Sequence, residues 1–354
     1  MNRLHVIIPA GGVGSRLWPL SRKDRPKFLL DLRMSGKSLL QETIDRLAPI
    51  AASFTIVTGR AHEQAVRAQI PQGLDVTVLV EPQGRDSMPA IGLAAYVIRQ
   101  RFGDEAPIAS FAADHAITHP QVLLDCVERA LEVAQKGYVV TIGLRPLTPS
   151  TAYGYIAPGE PFEKESPEKG SIVRSFVEKP DEETAKQYCE QGYLWNAGMF
   201  IMTAGTLARA LTRFHPDMDT HLSAIGGQWG SESFAQTLSE EWPTLTKIAI
   251  DHAIAEPLAS EGGVAVVPAT DMGWTDVGDF DALAQISSEG QALRIESSGS
   301  FVRSLSGQKI VLVGAPNMAV IATEDAILVV DRNRAQDVKH VVDQLTQSGE
   351  EELL

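Results

Sequence analysis

Five basic side chains crowd into one twelve-residue stretch: Arg16, Arg22, Lys23, Arg25 and Lys27, opposed only by Asp24. This local charge of +4 sits in a 354-residue chain of formal net charge −14. Just ahead of it runs Ala10-Gly11-Gly12-Val13-Gly14-Ser15. Glycines let a loop turn tightly and bring backbone N–H groups close to an anion. A cationic, glycine-rich loop in an acidic protein points to a phosphorylated ligand; the plain alternative is a turn with solvated cations. The loop is not a P-loop, because Gly14 leads to Ser15-Arg16 and not to Gly-Lys-Ser/Thr. Nor is it a dinucleotide fingerprint, because Leu17 stands where the third glycine belongs.

Two carboxylates suit a metal on bound phosphates. Asp114 follows an apolar run, and Asp276 lies in Gly273-Trp274-Thr275-Asp276-Val277-Gly278. Mg²⁺ takes one or two carboxylates and fills its remaining positions with phosphate and water. Either aspartate alone reads equally as a turn or cap residue. Glu178-Lys179-Pro180 offers a lysine that can meet phosphate as a point charge. Trp195-Asn196-Ala197-Gly198 offers an amide suited to sugar hydroxyls. His115 and His119 are four apart but lack a third ligand, and Pro120 interrupts the spacing, so no zinc site is expected.

The elements that must carry these groups alternate along the first 150 residues. Strands are expected at His5–Ile8, Phe54–Val57, Val76–Val80, Ile108–Phe111 and Tyr138–Leu144. Helices are expected at Pro89–Phe102, capped by Ser87, and at Gln121–Lys136, stopped by Gly137. The pattern predicts an α/β fold, a mostly parallel sheet with helices on both faces. Ligands in such sheets sit at the carboxyl ends of strands, where the glycine loop, Glu81 and Asp114 all fall. Shorter strands follow at Gly154–Ile156, Ser175–Glu178 and Met199–Met202, then helices near Thr206–Phe214 and Asp251–Glu256. Residues 287–300 read as a linker. Beyond it come strands near Phe301–Leu305, Lys309–Val313, Met318–Ala322 and Ile327–Val330, and a helix at Arg334–Gln347, with residues 347–354 fraying. No repeat stands out at domain scale. The division is a catalytic domain at 1–286 and a small β domain at 287–354.

Composition excludes other classes. The acidic balance argues against nonspecific nucleic-acid or membrane-surface binding. No run approaches the roughly 18 apolar residues of a membrane span, and no signal-peptide pattern opens the chain. Cys126 and Cys189 have no zinc spacing and suit a reducing compartment. A cytoplasmic location is expected.

In their order along the chain, several segments together resemble the sugar-1-phosphate nucleotidylyltransferases, and within them the mannose-1-phosphate guanylyltransferases. They are Ala10 to Leu20, Pro26-Lys27, Glu81-Pro82, Ala113-Asp114-His115, Gly154-Tyr155-Ile156, Phe176 to Pro180, Trp195 to Phe200 and Trp274 to Gly278. The resemblance implies a glycosyltransferase-A-like, Rossmann-like nucleotidyltransferase fold and a tail forming a short left-handed β-helix that makes homodimer contacts. It implies GTP and mannose 1-phosphate as substrates, GDP-mannose and pyrophosphate as products, and Mg²⁺ as cofactor. Arg16, Lys27 and Lys179 would be catalytic. Nucleotide would meet Ala10, Gly11, Gly12, Gly14, Ser15, Arg16, Lys27, Glu81, Arg85, Asp86, Ser87 and Asp114. The sugar phosphate would meet Gly154, Glu178, Lys179 and Asn196, and the metal Asp114 and Asp276. The chain departs from the family pattern at Asp86-Ser87-Met88, which replaces Asn-Thr-Ala, and at Pro257, which replaces a lysine. The alternatives are another base or sugar, a non-catalytic sugar-nucleotide sensor, or an NAD oxidoreductase, which the missing glycine disfavours.

Overall fold

A computed structural model describes residues 4–287 and 292–354. Ten strands lie between residues 4 and 269: β1 (Leu4–Ala10), β2 (Ala51–Gly59), β3 (Val76–Glu81), β4 (Pro107–Ser110), β5 (Ala116–Ile117), β6 (Val139–Leu144), β7 (Tyr155–Pro161), β8 (Ser171–Val177), β9 (Leu194–Thr203) and β10 (Val264–Ala269). All but β5 join one nine-stranded sheet in the order β3-β2-β1-β4-β9-β6-β10-β8-β7. Seven of these strands point one way; β8 and β9 run against them. The expected α/β class with a mostly parallel sheet is what the chain adopts.

Alternation along β1 shows why both faces are covered. Val6 and Ile8 point into one core, with helices Leu39–Leu47 and Pro120–Ala134. Ile7 points into the other, with helices Ser87–Phe102, Ala204–Phe214 and Pro216–Gly227. Ser87–Phe102 is buried along most of its length because helix and sheet enclose it on every side. Its cap is Asp86, whose carboxylate accepts from the Ser87 amide, one residue before the expected cap.

The short pair β5 and β11 (Trp274–Thr275) sets the site. They run antiparallel, with Trp274 opposite Ile117 and Thr275 opposite Ala116. Two loops far apart in sequence, carrying Asp114 and Asp276, are thereby tied side by side.

Five further strands form the small β part: β12 (Ala292–Ile295), β13 (Phe301–Ser304), β14 (Ile310–Val313), β15 (Met318–Ala322) and β16 (Ile327–Asp331). β12 pairs in parallel with β14, and β13 with β15, each partner lying 18 residues further on. That constant step is the signature of coils stacked as a β-helix. The expected linker at 287–300 is thus corrected. Residues 288–291 lie outside the described residues, and β12 is a paired strand from 292 onward.

The end of the chain corrects a second expectation. Residues 350–354 dock against the basic loop instead of fraying. The Trp18 indole N–H donates to the Leu353 carbonyl at 2.7 Å, Arg22 donates to the same oxygen, and the Lys23 amide meets the Leu354 carbonyl at 3.1 Å. Leu17, Trp18 and Leu20 share one apolar cluster with Val277, Phe280, Phe301, Ile321 and Val338. The β part is therefore seated on the glycine loop. Among the described residues no helix is long and apolar enough to cross a membrane.

Candidate active site

The glycine loop leaves the end of β1 and closes on itself. The Lys27 amide donates to the Val13 carbonyl at 3.1 Å, and the Ser21 hydroxyl to the Gly14 carbonyl at 2.6 Å. Gly14 has a φ of 76°, and a Cβ there would stand 2.8 Å from the Lys27 Cβ. Only glycine satisfies both the backbone and that contact. Ser15 and Arg16 follow in a single helical turn, with Arg16 half-buried.

Lys27 is buried, and its ammonium lies between the two candidate metal loops. Nζ is 2.6 Å from the Asp114 carboxylate and 2.6 Å from the Asp276 carbonyl oxygen. Burial works against ionisation of half-buried Asp114, but the Lys27 ammonium beside it outweighs that and holds the carboxyl below its ordinary pKa. His115 is itself pushed down by burial, so its ring is neutral near pH 7. The Trp274 indole N–H donates to His115 Nδ1 at 3.2 Å, which puts the remaining ring proton on Nε2. Asp276 Oδ1 accepts from the Tyr153 hydroxyl at 3.2 Å and the Gly278 amide at 3.1 Å. The site thus presents two hard oxygen donors on tied loops, one of them kept ionised. That donor set fits Mg²⁺ sharing its shell with phosphates.

Glu81 ends β3 and is buried. Its Oε1 lies about 4 Å from where side chains would begin at Gly11 and Gly84, so the carboxyl stands between two bare loops. Burial pushes its pKa up to about 7.

On the other side of the cleft, Glu178 and Lys179 follow β8. Lys179 Nζ pairs with Glu178 Oε1 at 2.7 Å and is largely exposed. A Cβ at residue 154 would collide with Glu178 Oε2, so Gly154 is what lets this carboxylate lie where it does. Asn196 is buried and engaged within the protein. Its Oδ1 accepts from the Thr141 hydroxyl at 2.9 Å and the Gly198 amide at 3.1 Å, while Nδ2 donates to Asp251 at 2.7 Å. Burial first, and the nearby Glu178 charge second, raise the Asp251 pKa to about 6. A cavity of about 630 Å³ opens between the two sides, lined by Arg16, Ser150, Lys179, Asp276 and Gln336 among others.

Three expected nucleotide residues have other partners. Arg85 donates to the carbonyls of Pro243 (2.7 Å) and Leu245. Asp86 caps the helix after it. The Ser87 hydroxyl accepts from the Ile250 amide at 2.9 Å, joining this segment to the one that carries Asp251.

Residues 5–292 match the family model described as nucleotidyl transferase, and residues 290–345 the one described as MannoseP isomerase/GMP-like beta-helix domain. Over 99% of its length the chain is 35% identical to a mannose-1-phosphate guanylyltransferase of Escherichia coli strain K12, covering 75% of that relative. The chain belongs to the mannose-1-phosphate guanylyltransferase family. It is 34% identical, at the same coverage, to the xanthan biosynthesis protein XanB of Xanthomonas campestris pv. campestris strain B100. A solved structure described as mannose-1-phosphate geranyltransferase from Thermus thermophilus superposes with a TM-score of 0.83 at 31% identity, over 98% of this chain and 100% of that one. The nucleotidyltransferase core and β-helix-like tail are therefore shared family architecture.

Two further groups, given no site role from the sequence, lie at this cleft. Asp251 lies in a wide-pitched helical turn, Asp251–Ala255, of a kind that often marks functional sites. Tyr153 donates to Asp276, and its ring packs edge-on against Trp195 and Trp274. Asp251 falls in the segment Ile250–Pro257 that resembles the family pattern, and Tyr153 directly precedes Gly154-Tyr155-Ile156, but neither belongs to a charge cluster, so no local signal gives them a site role.

Proposed function

We propose that this chain transfers GMP from GTP to mannose 1-phosphate, releasing pyrophosphate. The observation that carries this reading is the convergence of Arg16, Lys179 and Asp276 on one cavity, with Glu81 beside Gly11 of the glycine loop and Glu178, near Asp251, paired to Lys179. The sugar-phosphate oxygen attacks the α-phosphorus in line, the bond to pyrophosphate breaks, and the leaving group departs with its charge. The nucleophile arrives already ionised, so no protein nucleophile is needed; positioning and charge stabilisation suffice. Arg16 holds the triphosphate. Lys27 keeps the aspartate loops together and adds positive charge at the phosphates. Lys179 meets the sugar phosphate. Glu178 and Asp251 accept from mannose hydroxyls, with Asn196 orienting Asp251. Asp114 and Asp276 hold Mg²⁺, which when bound offsets the charge developing on the phosphates.

Glu81 reads the base. Guanine presents two neighbouring donors on its pairing edge, and a buried carboxylate accepts both. Only the ionised form accepts twice, so GTP binding lowers a pKa that stands near 7 in the free protein. The sign follows directly. Apparent GTP affinity is flat well above pH 7 and weakens by up to about tenfold per unit below it, one proton being released on binding. Initial rates across a panel of nucleoside triphosphates and sugar 1-phosphates, from pH 5.5 to 8.5, test the reading. GTP and mannose 1-phosphate are the expected optimum. Glu81→Gln is expected to lose the guanine preference and the pH dependence of GTP affinity together. A best rate with another base, or a pH profile unchanged in Glu81→Gln, contradicts the assignment.

A homodimer formed through the β part is supported by an exposed aliphatic block. Leu293 stands beside Val311 and Ile295 beside Val313 on paired strands, all about half exposed or more. The net charge of −14 supports a protein that binds neither nucleic acid nor anionic membrane, and its two free cysteines suit work in the reducing cytoplasm.

A further inference from the structure

Gln336 belongs to the β part, in the turn Arg332–Asp337, yet it lines the catalytic cavity beside Arg16 and Asp276. Its side chain bridges two loops of the catalytic core. Arg16 Nη1 donates to Gln336 Oε1 at 2.7 Å, and Gln336 Nε2 donates to the Asp279 carboxylate. The amide cannot be reversed. A guanidinium only donates and a carboxylate only accepts, so each partner selects one end.

The bridge is anchored on every side. Flanking residues Ala335 and Val338 are buried in the cluster that also holds Leu17 and Trp18. Arg332 pairs with Asp281 at 2.7 Å and donates to the Gly299 carbonyl at 2.7 Å. Asp279 itself is fixed by accepting from the Asp281 and Ala282 amides at 2.9 Å each. Its loop is continuous with the Asp276 and Val277 carbonyls that meet Lys27.

We propose that Gln336 is a positioning residue for nucleotidyl transfer, holding the Arg16 guanidinium toward the triphosphate while leaving its charge whole. The neutral amide matters. A carboxylate at this place could still meet Arg16, but it would face the Asp279 carboxylate with no donor to offer and would offset the Arg16 charge before the nucleotide arrives. The β part is then a component of the nucleotide site, and its seating on the glycine loop serves the chemistry. This inference rests on the reading of Arg16 as a triphosphate ligand.

The test is a double-mutant cycle read by calorimetric titration of the full chain with GTP. Wild type and Arg16→Ala are titrated first, and their difference tests the reading of Arg16 by itself. Gln336→Ala is then expected to weaken GTP binding roughly tenfold, the scale of one hydrogen bond to a charged group. It leaves the KM for mannose 1-phosphate unchanged. In the Arg16→Ala background the same substitution has no further effect. Gln336→Glu keeps the size, loses the donor to Asp279 and adds a negative charge; it binds GTP more weakly than Gln336→Ala although it can still meet Arg16. Thermal unfolding of each variant separates loss of fold from loss of orientation. Overturning results are GTP affinity within twofold of wild type in Gln336→Ala, losses that add independently with Arg16→Ala, or tighter binding by Gln336→Glu than by Gln336→Ala.

Discussion

Arg16→Ala is expected to lower turnover by about two to three orders of magnitude, the usual cost of removing a charged contact made in the transition state. Arg16 is the cation of the glycine loop that both lines the cavity and is held in place from the β part. Lys27, by contrast, is already engaged with Asp114 and the Asp276 carbonyl. Arg16 therefore carries the larger share of the charge free to meet phosphate. Its half-buried position and single turn of helix do not hold the fold, so the thermal midpoint should move little. Arg16→Lys restores only part of the rate, because an ammonium cannot reach Gln336 and a phosphate in the same planar fork. Steady-state kinetics and a melting curve on each variant check this. Near-normal kinetics in Arg16→Ala would remove it from the mechanism.

The second large effect belongs to Asp276→Asn. The substitution keeps an oxygen that can accept from Tyr153 and the Gly278 amide, so the loop retains its hydrogen bonds. Lys27 touches the Asp276 backbone carbonyl and not its carboxylate, so that contact survives too. What is lost is one of two charges for the metal. GTP binding should persist within a few-fold, since Arg16 and Lys27 remain. Turnover should fall by about two to four orders of magnitude, with a raised Mg²⁺ requirement, because metal stabilisation of transferring charge is worth several kcal/mol. Normal turnover at low Mg²⁺ would make Asp276 a loop-capping residue.

The glycine loop was legible because charge, glycine spacing and a preceding apolar run coincide within Val6–Lys27. The sheet was legible because its strands are short apolar runs between strong turn signals. Helix Leu39–Leu47 was passed over although Ser38 and Gln41 form a capping box, two residues whose pairing is a local signal. The two stacked coils of the β part carry an 18-residue step, but two turns are too few for a repeat to stand out. Asn196 was expected at the sugar; burial shows it engaged with Thr141 and Asp251, an arrangement no spacing rule encodes. Gln336 lies 320 residues from Arg16, and a neutral amide in a polar turn carries no signal in the sequence.

The most direct measurement is the stereochemical course at the α-phosphorus. The protein is incubated with mannose 1-phosphate, Mg²⁺ and a single diastereomer of GTP carrying one non-bridging sulfur on its α-phosphorus, which makes that phosphorus chiral, and the product is read by ³¹P NMR. Direct attack by the sugar phosphate predicts one in-line displacement. The product is then GDP-mannose with sulfur on the phosphorus bonded to guanosine, of inverted configuration, formed in step with pyrophosphate. Retention of configuration would mean two displacements through a covalent enzyme intermediate, and failure to release pyrophosphate would mean that no nucleotidyl transfer occurs; either result would contradict the account.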